Sequence, residues 1–160
     1  MRFFIITIFF ALIVNQANAQ IRSGSFQIDG DLNQINVSAN ADFGKFRTDM
    51  SVGYNIAEDR INYYHAELNM APADIYFALE MSRVSQRPVD DVIRIYKVRK
   101  LNGWGEIAKE LGIKPGSPEF HALKNNAGKK SAKYKEGKGP KGSKEKNKGG
   151  GNGNGKGQKK

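Results

Sequence analysis

The chain has 160 residues, no cysteine, two histidines and a net charge of +10. That length fits one small domain with flanking segments, and the missing cysteine excludes disulfides, thiol nucleophiles and cysteine-ligated metals. The charge sits at one end: from Lys124 onward thirteen lysines face only Glu136 and Glu145, which leaves residues 1–123 at −1, so the overall pI is no argument for a basic face on the fold.

Arg2 precedes an apolar run from Phe3 to Val14, broken by Thr7, then Asn15, Gln16 and the small-residue site Ala17-Asn18-Ala19. Positive, apolar and small-residue regions in that order describe a secretory signal peptide, residues 1–19, with cleavage expected after Ala19. A membrane-spanning helix needs about 18 or more apolar residues, so the mature chain is expected to lack one. No cysteine follows the cleavage site, and lipid attachment there is not expected.

After Gln20 the pattern reads as period two. Phe26, Ile28 and Leu32 fall on even positions with Gln27, Asp29 and Asp31 between them, and Asp29-Gly30 suggests a turn. Ile35, Val37, Ala39 and Ala41 then share one face. From Lys45 to Ile56 the alternation is regular, with Phe46, Thr48, Met50, Val52, Tyr54 and Ile56 on one side. Asp42-Phe43-Gly44-Lys45 reads as a hairpin connection. Arg60 to Met70, with Ile61, Tyr63, Tyr64, Ala66 and Leu68, is read as a further strand.

At Pro72 the period becomes helical, with Ile75, Ala78, Leu79 and Ser82 on one face before the break at Gln86-Arg87-Pro88. A second helix, Pro88 to Lys100, carries Val89, Val92, Ile93 and Tyr96, with Asp90 and Asp91 suited to its N-terminal dipole. A third places Trp104, Ile107, Ala108 and Leu111 together and ends at Gly112. Ser117 caps a fourth, with Phe120 and Leu123 turned inward. The expected fold is therefore α+β: an N-terminal antiparallel β meander or hairpin, about 24–70, packed against three to four short helices, about 72–126. Residues 127–160 are almost all Lys, Gly, Ser, Asn and Glu, a composition that predicts a disordered tail.

Few residues suggest chemistry. His65 and His121 are the only histidines, and Glu119 is two residues from His121 on the same helix, where the side chains diverge. Asp90-Asp91 is explained by the helix start, and Gly103-Trp104-Gly105 is too short a pattern for a phosphate loop. No catalytic constellation, metal site or cofactor is expected.

The most distinctive stretch is Gly103 to Lys124, GWGEIAKELGIKPGSPEFHALK. Ile107, Ala108, Leu111, Gly112, Ile113 and Ser117 resemble bacterial helix-turn-helix regulators, which implies a nucleic-acid-binding module over residues 104–125. Pro118 stands where that family usually has an apolar anchor, and Glu119 would bring negative charge toward phosphates. The same stretch, with ADFGKFRTDMSVGYNI and APADIYFALEMSRVSQRPVDDVIRIYK, is similar to a family of small uncharacterised exported bacterial proteins ending in GWGxIAKxLGIKPGSxEFHxLK and a Gly/Lys-rich tail. That resemblance implies a bacterial envelope or secreted setting, periplasmic or extracellular, and no assigned activity.

The expectation is a non-enzymatic envelope protein, a small interaction or structural domain with a polycationic tail. Its candidate interaction or structural residues are Trp104, Ile107, Leu111, Ser117, Glu119, Phe120, His121 and Lys124. The tail lysines Lys129, Lys130, Lys133, Lys135, Lys138 and Lys141 would attract anionic envelope polymer or extracellular nucleic acid. With Tyr134 as the lone tail aromatic, base stacking is not indicated. A protein partner for the domain is also expected.

Overall fold

The computed structural model describes residues 22–137; the predicted signal peptide and the tail lysines Lys138 and Lys141 lie outside the described residues. The described chain forms seven α-helices: α1 (Phe26–Ala41), α2 (Phe43–Tyr54), α3 (Glu58–Ala66), α4 (Pro72–Ser85), α5 (Val89–Arg99), α6 (Trp104–Glu110) and α7 (Pro118–Glu136), with a 3₁₀ turn at Lys100–Asn102. No strand occurs among the described residues. The expected α+β fold is thus overturned: the stretch read as a β meander is three helices.

The spacing of buried residues explains the difference. In α1, Ile28, Leu32, Ile35 and Ala39 are buried at intervals of four, three and four, one stripe of a 3.6-residue period. Phe26, grouped with them by alternation, is 97% exposed. In α2 the buried Phe46 and Met50 are four apart, with Phe43 and Tyr54 partly buried on the same side. An interval of four belongs to both periods, so only the residues between can discriminate. Thr48 is exposed and Val52 is 81% exposed, as a helix requires and a buried strand face forbids. In α3, Ile61 and Tyr64 are buried while Tyr63 faces out.

The turn read at Asp29-Gly30 lies inside α1, and Asp42, read as the start of a hairpin connection, is a helix cap. The Ser25 side chain accepts from the Ile28 N–H, and Asp42 Oδ1 accepts from the Lys45 N–H at 2.9 Å. Each satisfies one of the orphan donors of a first turn. Asn55, in the left-handed region at φ 50°, ends α2.

α4 is the centre of the domain. Every residue from Pro72 to Met81 is buried, and the helix packs against α1, α2, α3, α5 and α7. A helix buried on all sides needs its polar groups satisfied internally, and α4 carries two carboxylates, Asp74 and Glu80. The residue that precedes it, Ala71, has no polar side chain to cap it with. Asp74 instead reaches back to hydrogen-bond the Ala71 backbone, half of a capping box.

From Pro72 onward the expected helices form, with one change. Ser117 caps α7 by accepting from the Phe120 N–H at 3.2 Å, but the helix runs on to Glu136, so the boundary placed at Asn126 falls inside α7. Leu123, Ala127, Ser131 and Tyr134 continue a single buried stripe. The small Ala127, Gly128 and Ser131 let α7 lie along α1, its principal neighbour. A Cβ on Gly128 would stand 3.5 Å from Asp31 Oδ2.

Candidate functional site

The Gly103–Lys124 motif builds the domain rather than a cleft. Trp104 is 3% exposed, with its ring edge-on to Phe77 at 5.2 Å and tilted against Tyr96 at 5.1 Å. Its indole Nε1–H donates to Asp74 Oδ1 at 2.7 Å, and the Tyr96 hydroxyl donates to Asp74 Oδ2 at 3.0 Å. One carboxylate thereby ties α4, α5 and α6 together. Burial raises the Asp74 pKa above the ordinary carboxylate value, and the Trp104 and Tyr96 hydrogen bonds oppose the rise. The Tyr96 hydroxyl is pushed up by burial and by the nearby Asp74 charge, so it stays a donor.

The two glycines flanking Trp104 have a steric reason. Gly103 sits at φ 84°, and a Cβ there would lie 2.7 Å from the Arg22 carbonyl oxygen. At Gly105 a Cβ would approach the Ser23 oxygen to 3.2 Å, and the Gly105 N–H donates to the Arg22 carbonyl at 3.3 Å. The segment entering α1 is thus strapped across the start of α6. Its other end is held by the Ser23 N–H, which donates to Asp29 Oδ1 at 2.8 Å.

The other motif residues do not converge on one place. Ile107 is buried and Leu111 partly so. Ser117 is a cap; Glu119 is exposed in the first turn of α7, its carboxyl held low by its own backbone N–H and by Ser117. Phe120 packs on the core, while His121 is exposed and meets only the Phe120 ring edge, at 6.3 Å. Lys124 is partly exposed. α6 packs on α5, whereas α7 packs on α1 and α4. α6 and α7 thus pack chiefly on other helices and less on each other.

Four of the lysines assigned to the tail, Lys129, Lys130, Lys133 and Lys135, stand on the last turns of α7. Three of them line an open hollow of about 320 Å³ between α7, the end of α2 and α4. Its opposite wall is Tyr54, Tyr76, Glu80 and Arg83. Glu80 is 4% exposed and fully engaged. Its Oε1 accepts from the Tyr54 hydroxyl, and its Oε2 accepts from Arg83 Nη2 at 2.6 Å and from Asn126 Nδ2 at 3.1 Å. Burial and then the Glu80 charge push the Tyr54 phenol far up, which keeps its proton in place as the donor.

The remaining polar groups of this hollow are less well served. Tyr76 is 1% exposed, and its hydroxyl lies near that of Tyr54 without a hydrogen bond of normal geometry to any group. The Lys130 ammonium sits 5.9 Å from the centre of the Tyr76 ring and 5.8 Å from that of Tyr134. Partial burial lowers its pKa, the Asp49 and Glu80 charges oppose the shift, and Lys133 and Lys45 add to it. None of Lys129, Lys130 and Lys133 forms an ion pair among the described residues. A second hollow, about 330 Å³, lies beside α6, but its charges pair with one another, Arg99 with Glu110 at 3.2 Å and Lys109 with Glu106 at 2.5 Å. The first hollow is the one with unspent charge.

Sequence reasoning found the lysines of this site and missed its other wall. Glu80 was the available signal, a carboxylate inside the apolar run IYFALEM; such a residue must find partners when buried. Among the described residues no group of three or more His, Asp or Glu could hold a metal, and no helix is long and apolar enough to cross a membrane. No protein family, curated protein or solved structure matches the chain.

Proposed function

We propose that the chain is an exported, non-enzymatic envelope protein that holds on to anionic polymer through the basic end of α7 and the lysine-rich segment after it. The observation that carries this reading is the continuity of charge. Lys129, Lys130, Lys133 and Lys135 project from a helix packed on the domain, and the sequence continues through Lys138 and Lys141 to the final Lys159-Lys160. The polymer would meet a folded, cationic surface first and a chain of spaced lysines next. Counterion release from the polymer supplies the affinity. The order of charge, apolar run and small residues over Met1 to Ala19 supports export, which directs the polycation to envelope polymers rather than to chromosomal DNA. The separate packing of α6 and α7 favours this reading over a helix-turn-helix.

Retention of the mature chain on immobilised lipopolysaccharide and on neutral polysaccharide tests it. Strong retention on the first that salt abolishes is expected. Equal retention on both, insensitive to salt, would refute it.

A further inference from the structure

We propose that the last turn of α5, the 3₁₀ turn after it and the start of α1 form a docking face for an anionic lipid bilayer. Val98, Leu101 and Phe26 enter the headgroup region, and Lys97, Lys100 and Arg22 meet the lipid phosphates. The proposal shares with the reading above only the export of the chain and uses none of the α7 lysines.

Exposed apolar residues scattered singly need no explanation, but these are neighbours. Val98 is 73% exposed and Leu101 91%, and their spacing of three sets them side by side where α5 passes into the 3₁₀ turn. Lys97, four residues before Leu101, shares this outer face, while Val92, Ile93, Ile95 and Tyr96 are buried on the other. The exposed Phe26 belongs to the same end of the domain, because the strap that leads into α1 lays Arg22 against Gly103, two residues past Leu101, and Ser23 against Gly105.

Two observations select a bilayer as the occupant. The first is charge. Arg22, Lys97 and Lys100 are exposed and form no ion pair among the described residues. The carboxylates of α5 and α6 are all paired, Asp90 with Arg60, Asp91 with Arg94, Glu106 with Lys109 and Glu110 with Arg99. Asp29, in the first turn of α1, accepts from the Ser23 N–H. Apolar side chains beside unpaired cations match the layering of an anionic membrane, acyl chains beneath phosphates. A second copy docked on the same patch would bring Lys97 and Lys100 toward their own counterparts.

The second observation is the path of the chain. Seven residues lie between Val14, the end of the apolar run, and Arg22, at most about 30 Å of extended chain. While a signal segment occupies a membrane during export, this end of the domain is held within reach of the bilayer.

The mature chain, residues 20–160, has no cysteine, so one environment-sensitive fluorophore can be attached through Asn102→Cys, beside Leu101. A control label goes on Val52→Cys, an exposed position on α2, which packs on α1, α3 and α4. At about 0.15 M salt, phosphatidylglycerol vesicles should shift the Asn102 label to the blue and allow its quenching by lipid-borne nitroxide, leaving the Val52 label in water. Val98→Ser combined with Leu101→Ser should lower that insertion by about tenfold or more, and Phe26→Ser should lower it as well. All three side chains are exposed, so circular dichroism should report an unchanged fold. An Asn102 label that stays in water while the chain binds would assign the attraction to the α7 lysines and the tail, and overturns the face. A shift unchanged in the double variant, or equal on phosphatidylcholine vesicles, overturns it too. Self-association lost in the double variant, without insertion into vesicles, assigns the face to a second copy and overturns the membrane docking. If salt-sensitive retention on lipopolysaccharide survives any of these failures, the docking face alone falls; loss of both removes the polymer reading as well.

Discussion

Asp74 offers the sharpest perturbation of the fold because its two oxygens receive the Trp104 indole N–H and the Tyr96 hydroxyl inside the core. Asp74→Ala strands both of these side-chain donors and removes the acceptor of the Ala71 N–H as well. A buried donor left without a partner costs about 1–3 kcal/mol, so the pair predicts a loss of roughly 2–6 kcal/mol, a large share of the stability of a small domain. Asp74→Asn is different. Its Oδ1 can accept from the indole, and its Nδ2 can donate to the oxygen of a reoriented Tyr96 hydroxyl, so the indole keeps its acceptor and the hydroxyl keeps a hydrogen bond while its own proton turns elsewhere. Protonation separates the two variants from wild type. Burial raises the folded-state pKa of Asp74, so its contribution is fully present below the ordinary carboxylate range and is lost as pH rises through the elevated folded value. Asn at this position removes that loss. Urea unfolding followed by Trp104, the only tryptophan, should therefore show Asp74→Ala strongly destabilised at neutral pH. Asp74→Asn should lie near or above wild type there, with a flatter dependence on acid. An Asp74→Ala cost under about 1 kcal/mol, or an unchanged acid dependence in Asp74→Asn, would refute the assigned role of this carboxylate.

Five further substitutions probe the packing. Gly103→Ala combines a strained left-handed backbone with a contact of 2.7 Å to the Arg22 carbonyl; thermal melting should fall further than for Gly105→Ala, and equal shifts would contradict the strap. Met50→Ala should cost about 2–5 kcal/mol, whereas Val52→Asp, at an exposed helical position, should cost under about 1 kcal/mol; a large loss from Val52→Asp would restore the strand. Tyr134→Ala, at the far end of the α7 stripe, should destabilise the domain by about 3 kcal/mol, and a neutral outcome in chemical denaturation would return this segment to the tail.

The second half of the fold was legible because its punctuation is chemical. Pro72, Gln86-Arg87-Pro88, Gly112 and Ser117 each mark a helix boundary, and Gln86 and Gly112 do adopt the left-handed conformation that ends a helix. The first half was not, because Phe46, Met50 and Tyr54 are four apart, an interval shared by strand and helix, and Gly30, Gly44 and Gly53 lower helix propensity where burial overrides it. In α7 the stripe Leu123, Ala127, Ser131, Tyr134 is built largely of small or polar residues among lysines, so composition concealed it. The polar hollow joins Tyr54, Glu80 and Asn126, separated by 26 and 46 residues, and only the fold brings them together. Trp104 and its glycines stood out for a structural reason: a tight crossing of two chain segments demands an unusual local sequence as strictly as a ligand does.

The central claim is that polymer binding begins on the folded end of α7 and continues along the lysines after it. The slope of log retention against log salt concentration measures it most directly, because it reports how many cationic groups engage phosphates. Comparison should be made between the mature chain and one ending at Gly137, which spares α7; a chain ending at Asn126 would cut the helix. The shorter chain should keep a reduced but clear slope, lowered by about one for each of Lys129, Lys130 or Lys133 replaced by Gln. A slope of zero for the chain ending at Gly137, with its melting temperature unchanged, would contradict the account.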